Sequence, residues 1–83
     1  MKVTVYGSHL CPDTLYAINL LKEKDIDLSF KNISGALGDL KEFLAIREND
    51  PIFDEAKQKG GIGVPCFVLE DGTRTLDIQR ILG

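Results

Sequence analysis

The first thirty-three residues dictate how the chain must pair with itself. Val3-Thr4-Val5-Tyr6 is an apolar, β-branched run, and residues 2 to 6 read as a buried strand. Residues 12 to 24 then place Leu15, Ile18 and Leu21 at helical spacing, with Ala17 and Leu20 filling the stripe. Asp25 breaks that pattern, and Ile26, Leu28, Phe30 and then Ile33 alternate as a second strand with one stronger face. Two strands joined through a helix form a parallel β-α-β unit. In 83 residues this leaves room for one domain, residues 1–83, and not for an independent second unit.

Ser34-Gly35 punctuate the unit, after which Leu37, Leu40, Phe43, Leu44 and Arg47 repeat at three- and four-residue intervals as a second helix. Asn49-Asp50-Pro51 ends it. Ile52, Phe53 and Ala56 carry a shorter helical pattern over 52–59, which Gly60-Gly61 stop in a loop running to Gly63-Val64-Pro65. Cys66 to Leu69 form a third strand, Glu70-Asp71-Gly72 a hairpin turn, and Thr73-Arg74-Thr75 a brief fourth strand. Asp77 can cap a last helix whose apolar face is Ile78, Ile81 and Leu82. The expected architecture is α/β, in the order β-α-β-α-β-β-α, with a central four-stranded mixed sheet flanked by helices. This is the order of a thioredoxin-like fold.

Composition narrows the partners. With 10 basic against 13 acidic residues the net charge is −3, which argues against a phosphate-backbone footprint and so against nucleic acid. No apolar run approaches the roughly 18 residues a membrane span needs. Met1-Lys2-Val3 enters a strand pattern without the apolar core of a secretory signal, so a cytoplasmic location is expected. Two cysteines are too few for a disulfide framework, and His9, Cys11 and Cys66 match no zinc-ligand spacing, so no metal site is expected.

The chemistry concentrates at Cys11-Pro12-Asp13-Thr14, between the first strand and the first helix. A helix start carries unpaired N–H groups and the positive end of the macrodipole, and both favour a thiolate over a thiol. Pro12 suits the first helical position, where its missing N–H costs nothing. Asp13 opposes a neighbouring thiolate, and a protonated His9 would offset it; a plain surface loop role for His9 is the equal alternative.

Cys-Pro-x-Thr after the first strand, a Val-Pro pair opening the third and an Asp-Gly hairpin after it occur here in one order across the whole domain. In these features the chain resembles the glutaredoxins. The resemblance implies that Cys11 attacks disulfides with glutathione as co-substrate, and that Thr14, standing where a second cysteine would be, makes the site monothiol. A mixed disulfide on Cys11 is then resolved by an external thiol, for which glutathione is the abundant cytosolic one. The chain departs from the family pattern at Ser8, where a lysine is usual. It departs again at Arg74-Thr75-Leu76-Asp77, where Gly-Gly-x-Asp is usual; Asp77 still matches the aspartate that meets the glutathione α-amino group. The Cys-Gly-Phe-Ser motif of the iron–sulfur carriers is absent.

The glutathione-binding set expected from this reading is Pro12, Thr14, Arg47, Lys57, Val64, Pro65 and Asp77. The Thr14 hydroxyl either bonds the thiolate or bonds its own backbone. Val64-Pro65 is either a cis bond whose flanking N–H and C=O pair with a peptide backbone, or a trans proline starting an edge strand. Arg47, Lys57 and Lys59 are the candidate cations for glutathione's carboxylates. Cys66, directly after Pro65, is placed in the core ahead of a resolving role, because free cysteine is among the most buried residue types. The expected activity is reduction of protein–glutathione mixed disulfides or small disulfides by a mostly monomeric protein, with a Cys11-linked dimer as a side state. The alternative is a module in which Cys11 and glutathione hold an iron–sulfur cluster between two copies.

Overall fold

A computed structural model describes all residues, Met1–Gly83. Strand β1 (Lys2–Gly7) leads into helix α1 (Pro12–Glu23), strand β2 (Asp27–Asn32) and helix α2 (Leu37–Asn49). A 3-10 turn (Pro51–Phe53) and the short helix α3 (Asp54–Gln58) follow, then strands β3 (Cys66–Leu69) and β4 (Arg74–Thr75) and a terminal turn of helix, α4 (Gln79–Leu82). The sheet order is β2-β1-β3-β4. β1 and β2 run parallel, as the β-α-β reading requires, and the β1–β3 and β3–β4 pairs are antiparallel. The expected mixed four-stranded sheet with flanking helices is therefore present.

Period-two alternation sorts the sheet's two faces. In the β1–β3 register Val5 stands opposite Phe67 and Tyr6 opposite Cys66, so adjacent pairs point to opposite sides. Val3, Val5 and Phe67 are buried with Ala17 and Leu21 of α1, and Ile78, Ile81 and Leu82 pack against that cluster. Helices α1 and α4 thus cover one face. Tyr6 and Cys66 are buried on the other with Phe43 of α2 and Phe53 of the 3-10 turn. The Phe43 and Phe53 rings meet edge to face, with centroids 5.8 Å apart and planes at 82°. Burying each ring contributes on the order of 2–3 kcal/mol.

Two boundaries differ from the periodicity for physical reasons. α1 stops at Glu23 rather than Lys24, because Asp25 takes the left-handed conformation (φ 57°) at a helix-ending motif. There the Asp25 N–H donates to the Lys22 carbonyl and the Ile26 N–H to that of Leu21. Ile26 consequently folds back onto the cluster holding Leu21 and is not part of β2. In α2 the apolar stripe is narrower than its spacing suggests. Phe43 is its only fully buried side chain, while Leu37 and Leu44 face solvent at 66% and 43% exposure.

Candidate functional site

Cys11 caps α1 in an extended conformation (φ −100°, ψ 115°), with Pro12 beginning the helix. Both cysteines are free thiols; Cys11 is partly exposed and Cys66 fully buried. Ser8 ties the approach to the helix. Its carbonyl accepts from the Cys11 N–H at 3.0 Å, and its hydroxyl accepts from the Leu10 N–H at 3.1 Å and meets the Ser34 hydroxyl at 2.5 Å. The Asn32 side chain steadies the turn from the end of β2, accepting from the backbone N–H groups of His9 (3.3 Å) and Ser34 (3.1 Å). Its amide nitrogen lies 2.9 Å from His9 Nδ1. His9 thus ties the loop to the end of β2 through Asn32.

Thr14 is not a surface residue. It is 0% exposed, and its hydroxyl oxygen accepts from the Ser8 N–H at 3.3 Å. A Cβ on Gly7 would lie 2.5 Å from the Thr14 methyl, so strand β1 and the first turn of α1 touch through a glycine. Thr14, expected to bond the thiolate or its own backbone, bonds the Ser8 backbone, and its side chain locks the Cys11 turn onto β1. At the level of the backbone the helix start remains open. In an N-capped helix the cap side chain accepts from the second and third helical N–H groups, here those of Asp13 and Thr14. Cys11 makes no such bond, and neither N–H has another acceptor.

Beside this turn lies a cleft of about 320 Å³. Asp13, Tyr16 and Ala17 of α1 form one wall, Gly63, Val64 and Pro65 the other, and Phe67, Leu76 and Ile78 complete it. The Val64–Pro65 bond is cis, the first of the two forms considered for it. A second pocket of about 420 Å³ shares Leu76 and holds Arg74, Asp77 and Arg80. Asp77 Oδ1 accepts from the Gln79 N–H at 3.0 Å, although the N-cap position of α4 is Ile78 rather than Asp77. Val64 and Pro65 thus share a cleft with Asp13, Tyr16 and Ala17 of the helix that Cys11 caps, while Cys11 and Pro12 themselves do not line it, and Asp77 lies in the second pocket.

Of the expected cations, Arg47 and Lys59 have partners within the protein and Lys57 has none. Arg47 donates from Nε to the Ile62 carbonyl at 2.8 Å and from its terminal nitrogen to the Gly61 carbonyl at 3.0 Å. This two-point grip suits a guanidinium, but it holds the loop before Val64 rather than a carboxylate ligand. Lys59 pairs with Glu55 within α3 at 2.7 Å, while Lys57 stands exposed on the same helix with no ion pair. Arg74 reaches Asp50 at 3.4 Å, and Lys31 lies within 4 Å of both Asp39 and Glu42.

Burial pushes the Cys66 thiol up to about 11, with Asp50 adding to the rise and Arg74 opposing it. That suits packing rather than a resolving role. Burial and the 3.1 Å bond from its hydroxyl to Glu42 likewise raise Tyr6 to about 12. Sequence reading did not single out Tyr16 or Leu76 as site residues. Tyr16 had a signal: it stands at i+3 from Asp13, with Ala17 at i+4, on one face of the helix that Cys11 caps.

No cluster of three or more His, Cys, Asp or Glu side chains is placed to hold a metal ion, and no helix is long and apolar enough to cross a membrane. The chain is 29% identical over 80 residues to an uncharacterized protein of Haemophilus influenzae, an alignment covering 96% of this chain and 93% of that protein. No protein-family model matches the chain, and no solved structure matches it.

Proposed function

We propose that this protein is a glutaredoxin-type thiol–disulfide oxidoreductase of thioredoxin-like fold, working through Cys11 alone with glutathione as the resolving thiol. One observation carries the reading: a free, partly exposed cysteine caps the helix whose first turns share a cleft with Val64–Pro65. The sheet order, with only β1 and β2 parallel, supports the fold assignment.

In the reaction the Cys11 thiolate attacks one sulfur of a disulfide. The S–S bond breaks, its electron pair leaves with the second sulfur, and that thiolate takes a proton from water. The N–H groups of Asp13 and Thr14 serve the attacking sulfur while it is anionic and are released as the mixed disulfide forms. A thiol from solution then attacks the mixed disulfide and restores Cys11. Buried Thr14 has no sulfur to offer, and Cys66 is sealed beneath the sheet, so both steps use Cys11. Glutathione, protein–glutathione mixed disulfides and small disulfides are the proposed reactants, and a cytoplasmic location suits them.

The test is glutathione-dependent reduction of a protein–glutathione mixed disulfide by the wild type, Cys11→Ser and Cys66→Ser. Turnover is expected in the first and third and absent in the second. Turnover by Cys11→Ser, or none by the wild type, overturns the proposal. Visible absorbance of protein purified without oxygen would instead indicate a cluster held by Cys11 and glutathione.

A further inference from the structure

The pocket that shares Leu76 with the cleft holds two opposite charges that do not meet. Asp77 and Arg80 both line it, three residues apart, yet no ion pair joins them and neither pairs with any other charged group. Asp77 is anchored through Oδ1 to the Gln79 N–H, which leaves its second carboxylate oxygen free. Of the three arginines, Arg47 holds the Gly61 and Ile62 carbonyls and Arg74 faces Asp50 at 3.4 Å, while Arg80 is exposed and without a partner. Lys57, likewise unpaired, lines neither pocket. Backbone donors beside these charges are spent. The Asp77 N–H donates to the Thr75 hydroxyl at 3.0 Å, the Gln79 N–H to Asp77, and the Arg80 N–H to the Asp77 carbonyl at 3.1 Å. The Arg80 guanidinium is therefore the free charged donor that an arriving carboxylate would find in this wall.

We infer that Arg80 receives the α-carboxylate of glutathione's γ-glutamyl residue in this pocket, and so selects which half of a glutathione mixed disulfide is transferred to Cys11. A guanidinium presents two parallel donors to a carboxylate, and the free Asp77 oxygen accepts from the ammonium group of the same residue. Each charge of that amino-acid head then meets its opposite. The inference rests on the glutathione reading and adds to it a cation outside the set Arg47, Lys57 and Lys59 expected from the sequence. Cys11 lines neither pocket; Leu76 joins the head's pocket to the cleft, whose wall includes Asp13, two residues after Cys11. A tripeptide extends over about 10 Å, so with its head in the one pocket its remainder runs past Leu76 into the other. The bond from Cys11 Sγ to the glutathionyl sulfur forms, the old S–S bond breaks, and the other sulfur leaves with the electron pair and is protonated by water.

The experiment compares two donors, the mixed disulfides of 2-mercaptoethanol with glutathione and with a glutathione analogue whose γ-glutamyl α-carboxylate is a carboxamide. The rate at which each places its tripeptide on Cys11 is followed by mass spectrometry and divided by its rate with free N-acetylcysteine, which removes intrinsic reactivity. The wild type is expected to favour the carboxylate donor by about fivefold, the upper end for one exposed charge pair. The preference should fall to unity or below in Arg80→Gln, survive in part in Arg80→Lys, and survive in full in Arg74→Gln. Equal rates in the wild type, a preference that Arg80→Gln leaves in place, or one that Arg74→Gln abolishes overturns the inference and leaves the glutathione reading intact. A wild-type Cys11 that takes the tripeptide from neither donor overturns both.

Discussion

Gly63 is the position where the cleft and the core most constrain each other, and alanine there should damage both. Its φ is +96°, and a Cβ would sit 2.5 Å from Cδ1 and 2.8 Å from Cε1 of Phe53. That ring cannot step aside cheaply: Phe53 is 0% exposed and packs edge to face on Phe43. Forcing an L-residue into the left-handed region costs roughly 1–2 kcal/mol, and overpacking a tight core roughly 1–3 kcal/mol more. Alanine's lower unfolded-state entropy returns about 0.4–1 kcal/mol, leaving a net loss of about 2–4 kcal/mol for Gly63→Ala. Gly60, three residues earlier, has φ +76° but nothing within 4 Å of its would-be Cβ, so Gly60→Ala should lose only about 1 kcal/mol. A chain of this size has a total stability of about 4–12 kcal/mol, and urea slopes near 1–2 kcal/mol/M make the difference between the variants visible as a midpoint shift. Phe53→Leu in the Gly63→Ala background should recover part of the loss relative to the sum of the single changes. If the two alanine variants melt within about 0.5 kcal/mol of each other, or the double variant shows no coupling, the packing argument for this loop is wrong.

Thr14→Val keeps the side chain's shape but strands the buried Ser8 N–H; it should lower stability by about 1–3 kcal/mol, while Thr14→Ser should cost less. Chemical denaturation of both variants checks the ordering, and equal losses would mean that the hydroxyl contributes nothing. Alkaline stability should fall in two overlapping steps. Between 9.0 and about 11 the unfolded chain has released the Cys66 proton that the folded chain keeps, and between 10.0 and about 12 the same holds for Tyr6. Cys66→Ala should flatten the first part of that decline in a series of urea melts across pH, leaving the Tyr6 part in place.

The framework of the fold was legible because it rests on local alternations that tertiary contacts had little reason to override. Val3 and Val5 against Tyr6 specify which side of β1 faces which helix, and the β1–β3 register carries that choice on to Phe67 and Cys66. Cys66 could be placed in the core from its residue type and its neighbour Phe67 alone. Helix α2 was harder to read. Leu37 and Leu44 fit a helical stripe, yet both face solvent, because burial depends on which other elements reach that stripe and no window of sequence contains them.

The site divides along the same line. Pro12 after Cys11 announces a capped helix start, so the position of the sulfur follows from adjacent residues. Arg47 and Thr14 could not be assigned that way, because what each touches lies on another segment. The Arg47 guanidinium finds the carbonyls of Gly61 and Ile62, fourteen and fifteen residues on, and Thr14 finds Gly7 at the end of β1 and Ser8 just after it. In both cases the polar side chain's partners are backbone groups beside the site, supplied by a distant segment. Both residues therefore act on the chemistry indirectly. Thr14 fixes the turn that carries Cys11, and Arg47 fixes the loop that forms the opposite wall, so the cleft is held from both sides by contacts that no ligand needs to supply.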